Sequence, residues 1–227
     1  MQLKPNLINC YKKINAKVYN KTMKVTKYPQ SCLKIEVDDV AILIDPGSIT
    51  LAKYQLTDFG KINAVLYTHQ HFDHFEPAIL NELISQNIKI YANQDVADQV
   101  KSTNIEVVQS GVSFQVGSAN ITPYDLPHCL MQDGSAGPPN TGYIINNYFF
   151  HPGDGIEASG FEVYGLALPI AGPTINFTNA QTLADNLKAQ KIIPIHYDYF
   201  KADPIEFAQL LAKDRVIPLI DGASTKL

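Results

Sequence analysis

The chain is poor in cysteine and histidine, has no long apolar run, and carries no excess of positive charge. Each shortage excludes something. The three cysteines, Cys10, Cys32 and Cys129, are odd in number and widely spaced. They argue against a disulfide framework and fit a reducing, cytoplasmic setting. No stretch reaches the length of a membrane-spanning helix, and the first 22 residues lack the apolar core of a secretory signal. No membrane association is therefore expected. A net charge of −4 leaves no basic footprint for nucleic acid. Lys4, Lys12, Lys13, Lys17, Lys21, Lys24 and Lys27 all precede the first acidic residue, Glu36. They read as solvated charge, with residues 1–22 an N-terminal extension and 23–227 a single domain. Hydrophobic residues make up 45% of the chain and charged ones 18%, enough to bury a core without staples.

What is present begins with short β-branched runs: "MKVTKY", "CLKIEV" and "VAILID", the last closed by "DPG". These predict consecutive strands. "INAVLYTH" is a buried strand by its apolar run. "EPAILNELISQN" spaces Ile79, Leu80, Leu83 and Ile84 along one helical face behind a proline. "IKIYA" and "DVADQVKS" repeat strand then helix, and "IEVVQ", "VSFQV" and "ANITPYDL" return to strands. The Gly- and Pro-rich tract Leu130–Gly142 predicts a loop. "YIINN" and "YFFH" predict a strand pair with an Asn-Asn turn. "VYGLALPI" is a strand, and "TNAQTLADNLKAQ" a helix with a capping box from Thr178 to Gln181. "KIIPIHY", "DPIEFAQLLAKD" and "RVIPLI" follow as strand, helix and strand. Pro194 and Pro218 suit sheet edges or strand starts. Two β-rich halves with helices outside predict an αββα sandwich of two mixed sheets.

Three of the six histidines fall in "YTHQHFDH". His69 and His71, just past a strand, can face one metal ion; Asp73 and His74, in the following turn, can face a second. His128, His151 and His196 also end apolar strands, and Asp154 follows His151 in "HPGDG". Strand ends leading into loops are where sites collect.

The pattern HxHxDH, then a spaced histidine, an aspartate in "GD" and a late histidine resembles the metallo-β-lactamase superfamily. "MKVTKYPQSCLKIEVDDVAILIDPG", "FFHPGDG", "LALPIAG" and "IIPIHYDYF" resemble its L-ascorbate-6-phosphate lactonase-like branch, so the resemblance spans residues 23–227. The resemblance implies an αββα fold. It implies two divalent ions: zinc, with manganese or iron(II) as alternatives. His69, His71 and His128 would hold the first, Asp73, His74 and His196 the second, and Asp154 would bridge them. It further implies a metal-bridging hydroxide that attacks a small polar ester, lactone or phosphoester, with Asp73 orienting it or relaying its proton. His151 is expected near the chemistry, either contacting the substrate or donating a hydrogen bond behind the ligands. Asp45 either fixes an imidazole tautomer or starts a turn. Two departures stand out: "PQS", with Gln30, replaces the "GHS" of many relatives, and Gly155 stands where threonine is common.

The expected partner is a small molecule, with self-association left open. A non-catalytic metal-binding or ligand-sensing module, or a di-iron redox protein, is the rival reading. His71 argues against the redox rival, because electron-transferring relatives carry glutamate there. Cys129 reads as a small buried residue. Tyr197 and Tyr199 are explained equally by packing or by substrate contact. The loop Leu130–Gly142 starts close to His128 and is expected to wall the pocket.

Overall fold

The computed structural model describes residues 22–100, 104–212 and 214–227. The predicted extension, apart from Thr22, lies outside the described residues. Strands β1 (Met23–Lys27), β2 (Leu33–Val37) and β3 (Val40–Ile44) form an antiparallel meander. Strands β4 (Ala64–Leu66), β5 (Lys89–Ala92) and β6 (Ile105–Val107) add to it in parallel. Strand β13 (Ser224–Lys226) pairs with β1, so this sheet runs β13-β1-β2-β3-β4-β5-β6. The second sheet holds β7 (Phe114–Val116), β8 (Ala119–Leu126), β9 (Asn140–Ile145), β10 (Phe149–His151), β11 (Gly165–Pro169) and β12 (Lys191–Ile195), in the order β12-β11-β10-β9-β8-β7. Both sheets are mixed, as predicted.

Alternation along the strands builds three apolar layers. In β3 and β4, Ile42, Ile44, Ala64 and Leu66 face the space between the sheets. Helix α1 (Ser48–Leu51) follows β3, and Leu43 and Val65 face outward, onto helices α2 (Leu80–Ser85) and α3 (Gln94–Val100). In β11 and β12, Ala167, Ile193 and Ile195 point inward, whereas Leu166, Leu168 and Ile192 meet helices α4 (Phe177–Asn186) and α5 (Pro204–Gln209). Strands buried on both faces explain why the sequence shows continuous apolar runs there.

Asn146 and Asn147 both take positive φ, at 54° and 53°, in the predicted two-residue hairpin turn between β9 and β10. Pro194 lies in β12, which ends its sheet. Three expectations are corrected. Strand β9 begins at Asn140, inside the tract expected to be loop. Helix α4 is capped by Asn176, which accepts from the N–H groups of Thr178 and Asn179, and the reciprocal bond comes from Asn179 rather than Gln181. "RVIPLI" forms only a bridge from Val216 to Ile192: the Ile192 N–H donates to Arg215 O and the Ile217 N–H to Ile192 O, but the next donor along β12 would be residue 194, and Pro194 has no N–H. The C-terminal strand is instead "STK", which has no apolar run to announce it. Among the described residues no helix is long and apolar enough to cross a membrane.

Candidate metal centre

The loops that follow β4, β8, β10 and β12 gather at one edge of the sandwich. The chain leaves β4 through Tyr67 and Thr68 into a tight turn, in which the N–H groups of His74 and Phe75 both donate to His71 O, at 2.9 and 2.8 Å. Gly47 packs against this turn. A Cβ there would lie 2.2 Å from the Asp73 carbonyl carbon, so only glycine lets "DPG" approach the histidine turn. The Ser48 N–H also donates to Phe72 O at 2.7 Å.

Two sets of potential ligand atoms result. His69, His71, His128 and Asp154 form one, and Asp73, His74 and His196 the other, with atoms in each set within 4.8 Å of one another. Asp154 also reaches the second set: its Oδ1 lies 3.1 Å from His74 Nε2 and its Oδ2 lies 3.1 Å from His196 Nε2. All of these residues except the half-buried His71 are buried.

Partners on the far side of each ring decide which nitrogen faces inward. His74 Nδ1–H donates to Asp45 Oδ2 at 2.7 Å. His128 Nδ1–H and His196 Nδ1–H donate to the carbonyls of Cys129 and Ala171, each at 2.6 Å. Thr68 Oγ1 donates to Asp45 Oδ2 at 2.7 Å, so it accepts from His69 Nδ1–H at 3.0 Å. These contacts engage each Nδ1 on the far side and turn four Nε2 atoms toward the centre. Asp45, a possible turn residue by sequence, thus holds both ends of the histidine turn, through Thr68 and His74.

His74 Nε2, His128 Nε2, His196 Nε2 and Asp154 Oδ1 are buried without a hydrogen-bond partner. Buried polar atoms are rarely left this way. Imidazole nitrogens and carboxylate oxygens converging with unused lone pairs fit a divalent ion such as zinc.

The electrostatics point the same way. Burial, then the neighbouring imidazole of His74, holds His69 well below its ordinary pKa, and burial lowers His71 as well. Burial also pulls on His74 and His196, but the carboxylates around them prevail. His74 is raised well above its usual value and His196 to about 9. Burial opposes ionisation of Asp73, yet His74 and His196 bring its carboxyl down to about 2.

Gln30 is the departure that proves informative. Its Nε2 donates to Asp73 Oδ2 at 2.9 Å and its carbonyl accepts from the His196 N–H at 2.9 Å. Its own N–H donates to Asp198 Oδ2 at 2.7 Å. It is buried and holds φ +61°, a conformation that costs a non-glycine residue on the order of 1–3 kcal/mol. Behind it lies Lys27, whose Nζ reaches Asp198 at 3.0 Å and Asp221 at 2.9 Å. Burial works against its charge, but Asp198 and Asp221 raise its pKa above the ordinary lysine value. Sequence reasoning placed Lys27 among solvated lysines; it is fully buried. Nothing local in a lysine-rich run separates it from its neighbours.

His151 is not one of the converging residues. Its Nε2–H donates to Ser31 O at 2.9 Å and its Nδ1 accepts from the Gly153 N–H at 3.2 Å. Both nitrogens are occupied, so the expected substrate contact is not open to it; it straps the Asp154 turn to the Gln30 turn. Asn140, which the sequence did not single out, accepts from the Asp154 N–H at 3.4 Å and donates to Pro152 O at 2.9 Å. Cys129 is buried, with its thiol pushed up to about 11, chiefly by burial. The loop after His128 does pass the site: a Cβ on Gly137 would lie 2.3 Å from His128 Nδ1. A cavity of about 740 Å³, lined in part by Asn93, Asp95, Gln109, Ser110, Asp125 and Asn140, adjoins the segments carrying His69, His128 and Asp154.

A family model described as a β-lactamase superfamily domain matches residues 24–196. The UPF0173 metal-dependent hydrolase of Nanoarchaeum equitans is 30% identical over 204 residues, covering 82% of this chain and 90% of its own. Igni18, a metallo hydrolase from Ignicoccus hospitalis, superposes with a TM-score of 0.72 at 23% identity, over 91% of this chain and 98% of its own. A diphosphatase of the PhnP family gives a TM-score of 0.62 at 17% identity, over 91% and 98%. With this fold and this match, the chain belongs to the β-lactamase superfamily, among its UPF0173 metal-dependent hydrolases.

Proposed function

We propose that the chain hydrolyses a small ester or lactone, with His69, His71, His128 and Asp154 holding one divalent ion and Asp73, His74 and His196, with Asp154, a second. The observation that carries this reading is the set of buried Nε2 atoms without hydrogen-bond partners around Asp154. When bound, the ions would supply Lewis acidity and a water acidified to a pKa of about 7.

The chain's own residues do the rest. Asp45, Thr68 and the carbonyls of Cys129 and Ala171 hold the imidazoles in the ligating tautomer. Gln30 Nε2 fixes one oxygen of Asp73, the carboxylate best placed to orient the attacking water and accept its proton. That proton passes to the leaving alkoxide, so water is added across the acyl–oxygen bond. His151 acts at one remove, holding the Asp154 turn. A phosphoester is the second reading, favoured by the diphosphatase of the same fold.

Elemental analysis of metal-loaded protein should approach two ions per chain. A screen of lactones, carboxylic esters and phosphodiesters should show turnover that chelation abolishes and added metal restores. A value that never exceeds one ion per chain would remove the two-metal mechanism.

A further inference from the structure

Large apolar side chains stand in solvent beside the metal centre, and they come from the segments that carry its residues. Phe72, between His71 and Asp73, is 57% exposed, and Tyr199 and Phe200, just after His196, are 61% and 36% exposed. Of the ten phenylalanines, Phe72 and Phe200 are the two most exposed to solvent. The rings form a continuous edge. Phe72 and Tyr199 lie 6.2 Å apart between centroids at 79°, and Tyr199 and Phe200 lie 5.3 Å apart at 83°. Phe200 lies 5.2 Å from the His196 ring. Leu130, close after His128, adds a third segment and is 52% exposed. By contrast Tyr197 is buried, with its hydroxyl donating to Leu219 O at 3.0 Å. Packing therefore explains Tyr197 and leaves Tyr199 unexplained.

Charge narrows the occupant. Residues 67–76, 126–138 and 151–158 hold no lysine or arginine, and residues 195–203 hold only Lys201. The nearby Lys27 is already taken by Asp198 and Asp221. Recognition of a phosphate beyond the reach of the ions commonly uses a cluster of such cations, and the ligand-carrying segments hold only Lys201. Aromatic faces at the mouth of a buried polar centre instead suit an apolar group attached to the reacting carbonyl.

We propose that Phe72, Tyr199 and Phe200 seat an apolar acyl or aryl arm of the substrate, which makes the substrate a hydrophobic carboxylic ester or lactone rather than a phosphoester. This deepens the hydrolase reading above and rests on it for the reacting bond.

The test uses the metal-loaded full chain with p-nitrophenyl acetate, butyrate, hexanoate and octanoate, and with bis(p-nitrophenyl) phosphate. We expect kcat/KM to rise at least about tenfold from acetate to octanoate, mainly through KM, as methylenes are buried. The double variant Phe72→Ala/Tyr199→Ala should flatten that rise while keeping the metal content, and Phe72→Leu should restore part of it. A flat profile in the parent, a preference for the phosphodiester, or a rise that survives the double variant would overturn the proposal. Calorimetric titration with octanamide separates the two readings. If no ester turns over but octanamide binds the parent and not the double variant, the rim stands and the hydrolase reading falls. If octanamide does not bind the parent, the rim proposal falls. If the double substitution converts a dimer to a monomer in sedimentation, the rim is a contact between copies, which also overturns it.

Discussion

The two halves of the metal centre are built from similar residues but balance charge in opposite ways. In the half with His69, His71 and His128, burial and crowded imidazoles drive protons off His69 and His71. In the half with Asp73, His74 and His196, carboxylates raise both imidazoles above their ordinary value. The difference lies in who lines the space: imidazoles crowd the first half, while Asp73, Asp45 and Asp154 surround His74. In the metal-free chain the first half favours neutral imidazoles and the second charged ones, so a cation entering the second would compete with protons.

The largest test of this contrast removes what the halves share. Asp154→Asn should lower metal affinity in both halves by more than about 100-fold, beyond the roughly 10–100-fold typical of an outer partner. Elemental analysis after dialysis reads this directly. Retention of one tightly held ion would show that Asp154 serves a single half.

The next substitution separates the halves. Gln30→Ala removes the bond to Asp73 but touches nothing in the first half. One ion should weaken about 10–100-fold while the other stays. Titration with a chromophoric chelator should therefore turn from one phase to two. Equal loss from both halves would contradict the division.

His151→Ala should keep both metals while leaving the Ser31 carbonyl and Gly153 N–H unpaired, at a cost of about 1–3 kcal/mol in urea unfolding. His128→Ala should show the reverse balance: a large loss of metal and a smaller loss of stability.

The smallest expected effect is a reversal of slope. In the metal-free chain, His196 has a folded pKa of about 9 against an ordinary 6.5, so its contribution to stability is complete below about pH 6.5 and fades as pH rises through 9. Asp73 is lowered to about 2 from 3.8, so its contribution is lost as pH falls through that lower range. Below about pH 6.5 the lowered His69 and His71 work the other way, because the unfolded chain then binds protons that the folded one refuses. Metal-free protein should therefore melt highest near pH 6.5 and lose stability from there toward about pH 9. Metal-loaded protein should gain stability upward from pH 6, as protons cease to compete. Melting curves at fixed ionic strength check both; parallel profiles would show that protons and metal do not share the site.

The sequence displayed the parts of this centre that are local. "HQHFDH" lies in one turn, and His128, Asp154 and His196 each stand at the end of an apolar run. Two sheets with outer helices were equally readable, because alternation and apolar runs are written strand by strand. The supporting contacts were not. Lys27 meets Asp198 and Asp221 only after most of the chain has folded between them. The same holds for Gln30, whose N–H is bound by Asp198 and whose side chain is bound to Asp73. Strand β13 was missed because it owes its existence to the open edge of β1, and its own composition is polar. The N-cap of α4 was misread by two positions because Asn176 and Thr178 both carry the right chemistry.

The pairing of β13 with β1 also sets a timetable. Lys24 aligns with Lys226, and Lys27 contacts both the Ala223 carbonyl and the Gly222 N–H. The ammonium that anchors Asp198, and through it Gln30, therefore has its full cage only once the most distant parts of the domain have met. Contacts this remote in sequence are late and slow to form. The half built on Asp73, His74 and His196 thus leans on a contact between the first and last strands of the domain, and a chain still emerging during synthesis lacks that support.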